Sequence, residues 1–164
     1  MNIRDYLIDQ GGKDWGELLS GWSAALPASF TVWLVNRFGD VFAVFEDGSV
    51  HMLDVGTGVI QRLADSRDDF ATRIDAGNNA NNWLMIPLVD QCVAAGLTLA
   101  EDQCYGYKIP PIEAGQCGGK YAVENVSPTN LSVHYSLLAD IWRQTKDLPD
   151  GTRVKAVVID GASG

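Results

Sequence analysis

The stretch Gly115-Gln116-Cys117-Gly118-Gly119-Lys120 gathers residue types that can do chemistry, because repeated glycines let backbone N–H groups face an anion and the lysine can neutralise it. The spacing is wrong for a P-loop, which needs four residues between its glycines and Ser or Thr after the lysine. Here three residues separate Gly115 from Gly119, and Tyr121 follows Lys120. Gly56-Thr57-Gly58 joins two strand-like runs rather than a strand and a helix, so it is no dinucleotide fingerprint. Cys117, set among glycines, has the makings of an exposed nucleophile with His51 or His134 as its base, which makes a small hydrolase or thiol enzyme the enzymatic alternative. Nothing in the sequence brings a histidine to it or lowers its pKa. His51, His134, Cys104 and Cys117 are zinc-ligand types, yet no Cys-x-x-Cys or His-x-x-x-His pair supplies the usual half-site. The sequence therefore assigns no catalytic residue, metal or cofactor, and it points to binding rather than chemistry.

Carboxylates are the other candidates. Glu46-Asp47, Asp68-Asp69 and Glu101-Asp102 sit at turns and a helix start, and Glu113 lies in the loop beside Cys117. A solvated surface explains acids at such places; the functional reading makes them a partner-binding patch. The formal charge of −9, from 21 acidic and 12 basic residues, repels phosphate backbones and anionic membranes and favours a basic protein partner. A general interaction module remains the third possibility.

These side chains must be positioned by elements the pattern already suggests. Trp15, Leu18, Leu19, Trp22 and Leu26 fall on one helical face, and Pro27 ends the run. Strands are predicted over Thr31–Asn36, Val41–Glu46, Ser49–Asp54 and Val59–Leu63, with Asp47-Gly48 as a hairpin turn. Ser66-Arg67-Asp68-Asp69 has capping-box form and starts a helix reaching about Ala76. A further helix is predicted over Trp83–Ala95 although it must accommodate Pro87, then a strand over Tyr121–Val126, a helix over Leu131–Thr145 and a last strand over Arg153–Ile159. Hairpins without intervening helices exclude a doubly wound parallel sheet. The expected fold is α+β: one domain over residues 1–164, a mainly antiparallel sheet covered by helices. Met1–Gln10 lacks the apolar core of a signal peptide, no apolar run is long enough for a membrane helix, and the three cysteines form no disulfide framework, so a cytoplasmic setting with reduced thiols is expected. The oligomeric state is left open.

The order of motifs adds a resemblance. Phe38-Gly39-Asp40-Val41-Phe42, Glu46-Asp47-Gly48-Ser49-Val50-His51-Met52-Leu53-Asp54 with Gly56 and Gly58, Cys104-Tyr105-Gly106-Tyr107-Lys108-Ile109-Pro110-Pro111, Gly118-Gly119-Lys120-Tyr121 with Asn125, and His134-Tyr135-Ser136-Leu137-Leu138 with Gln144 follow one another across most of the chain. In this order they resemble a bacterial family named for the C-terminal domain of a type VI secretion immunity protein, the cognate inhibitor of a DNase effector, and akin to the SUKH-like immunity group. The resemblance implies an immunity-type protein that binds a basic effector, a DNase among the candidates, and blocks it. Members of that family run almost directly from Pro-Pro into a Leu-Gly-Gly turn, whereas here Ile112 to Cys117 intervene. The founding protein also carries a further N-terminal domain, for which this chain has no room.

Overall fold

The computed structural model describes residues 2–111 and 119–147; the strand expected over Arg153–Ile159, Glu113 and Cys117 lie outside them. Four strands, β1 (Phe30–Val35), β2 (Val41–Phe45), β3 (Val50–Asp54) and β4 (Val59–Ala64), form an antiparallel sheet in the order β1-β2-β3-β4. The expected hairpin is its centre: Val44 faces Val50 and Val41 faces Leu53, and Gly48 turns the chain at φ 85°, a left-handed conformation that costs glycine no Cβ clash.

The centre of the sheet is buried on both faces, which is why β2 reads as a continuous apolar run rather than an alternation. Val41, Ala43 and Leu53 join Trp22, Tyr135 and Leu138 in one core cluster, while Phe42, Val50 and Met52 join Phe70, Trp83 and Leu84 in another. The first face is covered by α1 (Trp15–Leu18), a short 3-10 turn (Ser20–Trp22) and α5 (Leu131–Thr145). The second is covered by α2 (Arg67–Arg73) and α3 (Asn79–Trp83), which α4 (Ile86–Ala94) follows. A second sheet pairs β5 (Gln103–Tyr107) with β6 (Val126–Asn130), and Phe38, Val89, Cys92 and Tyr105 pack between it and α4. The fold is α+β, as expected. Among the described residues no helix is long and apolar enough to cross a membrane.

Three elements differ from expectation. The helix over Trp15–Leu26 is broken after Leu18, a segment carrying Gly16, Ser20 and Gly21, all weaker helix formers than the leucines beside them. Trp22 turns inward and donates its indole N–H to the Tyr135 carbonyl at 3.2 Å, with none of its surface exposed. The helix over Trp83–Ala95 is two helices meeting at Met85, which sits at φ 53°. Pro87 has no N–H to offer the Trp83 carbonyl four residues earlier, and Asn36 Nδ2 takes that carbonyl instead at 3.0 Å. The strand expected over Tyr121–Val126 lies further on: Val123–Asn125 is a 3-10 turn and β6 begins at Val126.

The β3–β4 turn makes a local prediction. Gly58 sits at φ 78°, and a Cβ there would come within 2.7 Å of Trp142 Nε1. Gly58→Ala is expected to destabilise by roughly 2–3 kcal/mol, backbone strain and overpacking together, read as a lower urea midpoint. An unchanged midpoint would contradict the packing of α5 on this turn.

Candidate partner-binding surface

The histidines and cysteines are best placed first, because they decide whether the surface can do chemistry. His134 is buried; its Nε2 lies 2.9 Å from the Phe38 carbonyl, an oxygen that only accepts, so Nε2 carries the proton. Burial pushes its pKa down to about 4. Tyr135 beside it donates to the Gly39 carbonyl at 2.7 Å. Gly39 has φ 84°, and a Cβ there would sit 3.0 Å from the His134 ring. The Phe38-Gly39-Asp40 turn and the His134-Tyr135 pair are thus one interior lock between the sheet and α5. Asp40 completes it, accepting from Asn36 Nδ2 at 2.9 Å and from the Val55 N–H at 3.0 Å. Burial, and then the neighbouring Asp54 charge, raise the Asp40 carboxyl well above the usual range. Cys92 and Cys104 are buried, and burial raises both thiols, so neither is an activated nucleophile.

His51 belongs to a constellation not singled out in the sequence. Asp47 on the hairpin turn, Ser49 just before β3 and His51 within it fall two residues apart and meet on one side of the hairpin. Ser49 Oγ contacts Asp47 Oδ1 and lies 2.9 Å from His51 Nε2, while the imidazole stacks on Phe45 with centroids 3.8 Å apart. A carboxylate only accepts, so the hydroxyl proton points to Asp47 and His51 donates to the serine oxygen. That is the reverse of a catalytic triad, in which the histidine takes the serine proton. Ser49 has no exposed surface either. Among the described residues no cluster of three or more His, Cys, Asp or Glu is placed to hold a metal ion.

The acidic candidates divide into two places. Glu46 and Asp47 on the hairpin turn are exposed, as is Asp68, while Asp69 is half-buried at the start of α2. Arg62, opposite His51 on β4, joins the hairpin to the helix: it lies 3.7 Å from Asp47 and 2.9 Å from Asp65. Asp69 accepts from the Asp65 N–H and pairs with Arg73 at 2.7 Å, and these two contacts, in that order, lower its pKa. Ser66 caps α2 as expected by accepting from the Asp69 N–H at 3.0 Å, but the Asp69 side chain reaches one residue beyond the cap. Arg67 lies over the Trp33 ring. Arginines therefore interleave with the acids, and Glu46 and Asp68 are left without an ion pair among the described residues. Glu101 and Asp102, both exposed, lie before β5 on the second sheet, where the Asp102 carbonyl accepts from the Leu131 N–H at 2.9 Å.

The base of the inserted loop is firmly held. Asn125 accepts from the Ile109 N–H and donates to the carbonyls of Ile109 and Lys120, each at 2.9 Å. Pro111 is buried, and its ring approaches the Gly56 turn.

Both histidines are thus committed to structural partners. Residues 64–142, just under half of the chain, match the family described as the type VI secretion system (T6SS) immunity protein Tdi1, C-terminal, and this stretch is similar to that family of immunity proteins. The matched stretch holds α2 to α5, the second sheet, Asn125 and the His134-Tyr135 pair, whereas the motif blocks from Phe38 to Gly58 precede it. No curated protein matches the chain.

Proposed function

We propose that the chain is a cytoplasmic immunity protein that neutralises a type VI effector by binding it directly and covering its active site, without catalysis of its own. The match over residues 64–142 carries this reading. A DNase is the favoured effector, since a nuclease must present a basic cleft to phosphate and a protein of charge −9 complements one. Glu46, Asp47, Asp68 and Asp69 on the hairpin and α2 are the proposed docking residues, with Glu101, Asp102 and Glu113 as further contacts. Glu46 and Asp68 matter most, because their charges are exposed and not already spent on an arginine.

Co-expression with the neighbouring reading frame tests the reading through rescue of growth and co-purification; failure of both would sink it. With the partner in hand, raising salt from about 0.05 to about 0.5 M shortens the Debye length from roughly 14 to roughly 4 Å, and association should slow about tenfold or more while dissociation changes less. Glu46→Lys with Asp68→Lys should slow capture by a similar factor of about ten at low salt, at a cost of no more than about 1 kcal/mol of stability from the lysine at the start of α2. Association indifferent to both would assign the acidic balance to solubility alone. Asp69 is a poor choice for this test, because reversing it would also break the start of α2.

A further inference from the structure

A pocket of about 440 Å³ opens among Asn2, Ile3, Ile74, Asp75, Ala80 and Leu84. Leu84 and Ile74 belong to the second core cluster, with Ile3 and Ala80 packed against it, so the pocket is an open rim of that core. Asp75 is the one ionisable residue of the six, and it is exposed and in no ion pair among the described residues. It lies in the turn two residues past the end of α2, the helix whose first turn carries Asp68, and so extends the segment assigned above to the effector.

The chemistry of the wall selects its occupant. A purely apolar side chain would bury the Asp75 carboxylate against hydrocarbon without a partner, and an acidic one would add like charge. A long basic side chain satisfies both parts, since its methylenes lie on apolar surface while its charged head stays with a carboxylate. We infer that this pocket takes one lysine or arginine side chain of the effector, the methylenes against Ile3, Ala80 and the edge of Ile74 and the cationic head against Asp75. The inference rests on the effector-binding reading and names one anchor point within it.

The pocket can be tested without the effector. Backbone amide resonances are followed by NMR during titration with n-butylguanidinium, and separately with guanidinium and n-butanol, at constant ionic strength. Saturable shifts are expected at Ile3, Asp75 and Ala80 with n-butylguanidinium, about tenfold weaker with either half-molecule, and about fivefold or more weaker in Asp75→Asn. Ala80→Phe, which fills the pocket, should abolish them. Should that variant fold poorly, Asp75→Asn alone still decides. No shifts at these amides, or equal shifts with n-butanol, would overturn the inference. In co-expression, wild type that rescues growth while both variants rescue equally well would remove the pocket and leave effector binding standing. Wild type that neither rescues growth nor co-purifies with the effector would remove the effector reading itself, whatever the titration gives.

Discussion

Asn36→Ala is expected to cost roughly 4 kcal/mol of stability, a large share of the ~5–15 kcal/mol by which domains are stable. Asn36 has no exposed surface. Its Oδ1 accepts from the N–H groups of Phe38 and Asp40, both at 3.0 Å, and its Nδ2 donates to Asp40 Oδ2 and the Trp83 carbonyl. Alanine would leave those four buried groups to find other partners, at about 1–3 kcal/mol for each that does not, with entering water recovering part. The Trp83 carbonyl is the worst placed, because Pro87 cannot replace the lost donor. Guanidinium or urea unfolding checks the value. Asn36→Asp is a sharper probe: it keeps the acceptor for both N–H groups but sets a second carboxylate against Asp40. It should be at least as unstable as Asn36→Ala near neutral pH and recover on acidification, when one of the two acids is neutralised. A wild-type midpoint in Asn36→Ala would show that the turn and the α3–α4 break do not depend on this side chain.

The second large effect is a loss of stability in acid through His134. Its pKa lies near 4 in the fold and near 6.5 in an unfolded chain. The unfolded state therefore binds the proton first, and the stability present above about pH 6.5 is lost progressively as pH falls towards 4. The span corresponds to roughly 3 kcal/mol. Asp40 acts in the opposite sense: its carboxyl is raised in the fold, so the native state binds that proton first and gains stability as pH falls through the raised value. His51, whose pKa is also lowered, chiefly by burial, adds a contribution of the His134 sign. His134→Gln separates these effects, because the glutamine amide can still donate to the Phe38 carbonyl but does not titrate. Plotted against pH, wild type should fall by about 3 kcal/mol relative to the variant between about pH 6.5 and 4. Parallel curves would mean that the imidazole is not held neutral by burial.

Both effects belong to the Phe38-Gly39-Asp40 and His134-Tyr135 motifs, which carried part of the family resemblance. These residues are interior; they hold α5 on the β1–β2 turn rather than touch a partner. The motifs thus account for a shared fold more directly than for a shared target.

What the sequence determined by itself was whatever depends on neighbours along the chain. Val41–Asp54 was legible as a hairpin because Asp47-Gly48 sits between two apolar runs, and Leu131–Thr145 was legible as a helix because its apolar spacing is unbroken by glycine or proline. The Ser66 cap was readable for the same reason. Tertiary structure decided what depends on distant partners. Pro87 signals an awkward helix, but only Asn36, 47 residues before Trp83, explains where the break falls. The pairing of β5 with β6 was hidden because Gly106 and Pro128 read as turn residues, whereas Gly106 is needed to let Thr129 approach, its Cβ within 2.9 Å of where a side chain would begin. Acidic pairs were visible as letters, but that Arg62 and Arg73 engage Asp47 and Asp69 while Glu46 and Asp68 stay unpaired is set by cross-strand and helical geometry. The pocket at Asp75 draws its wall from segments beginning at Asn2, Ile74 and Ala80, each unremarkable alone, because a concave surface exists only once separate stretches of chain have packed together.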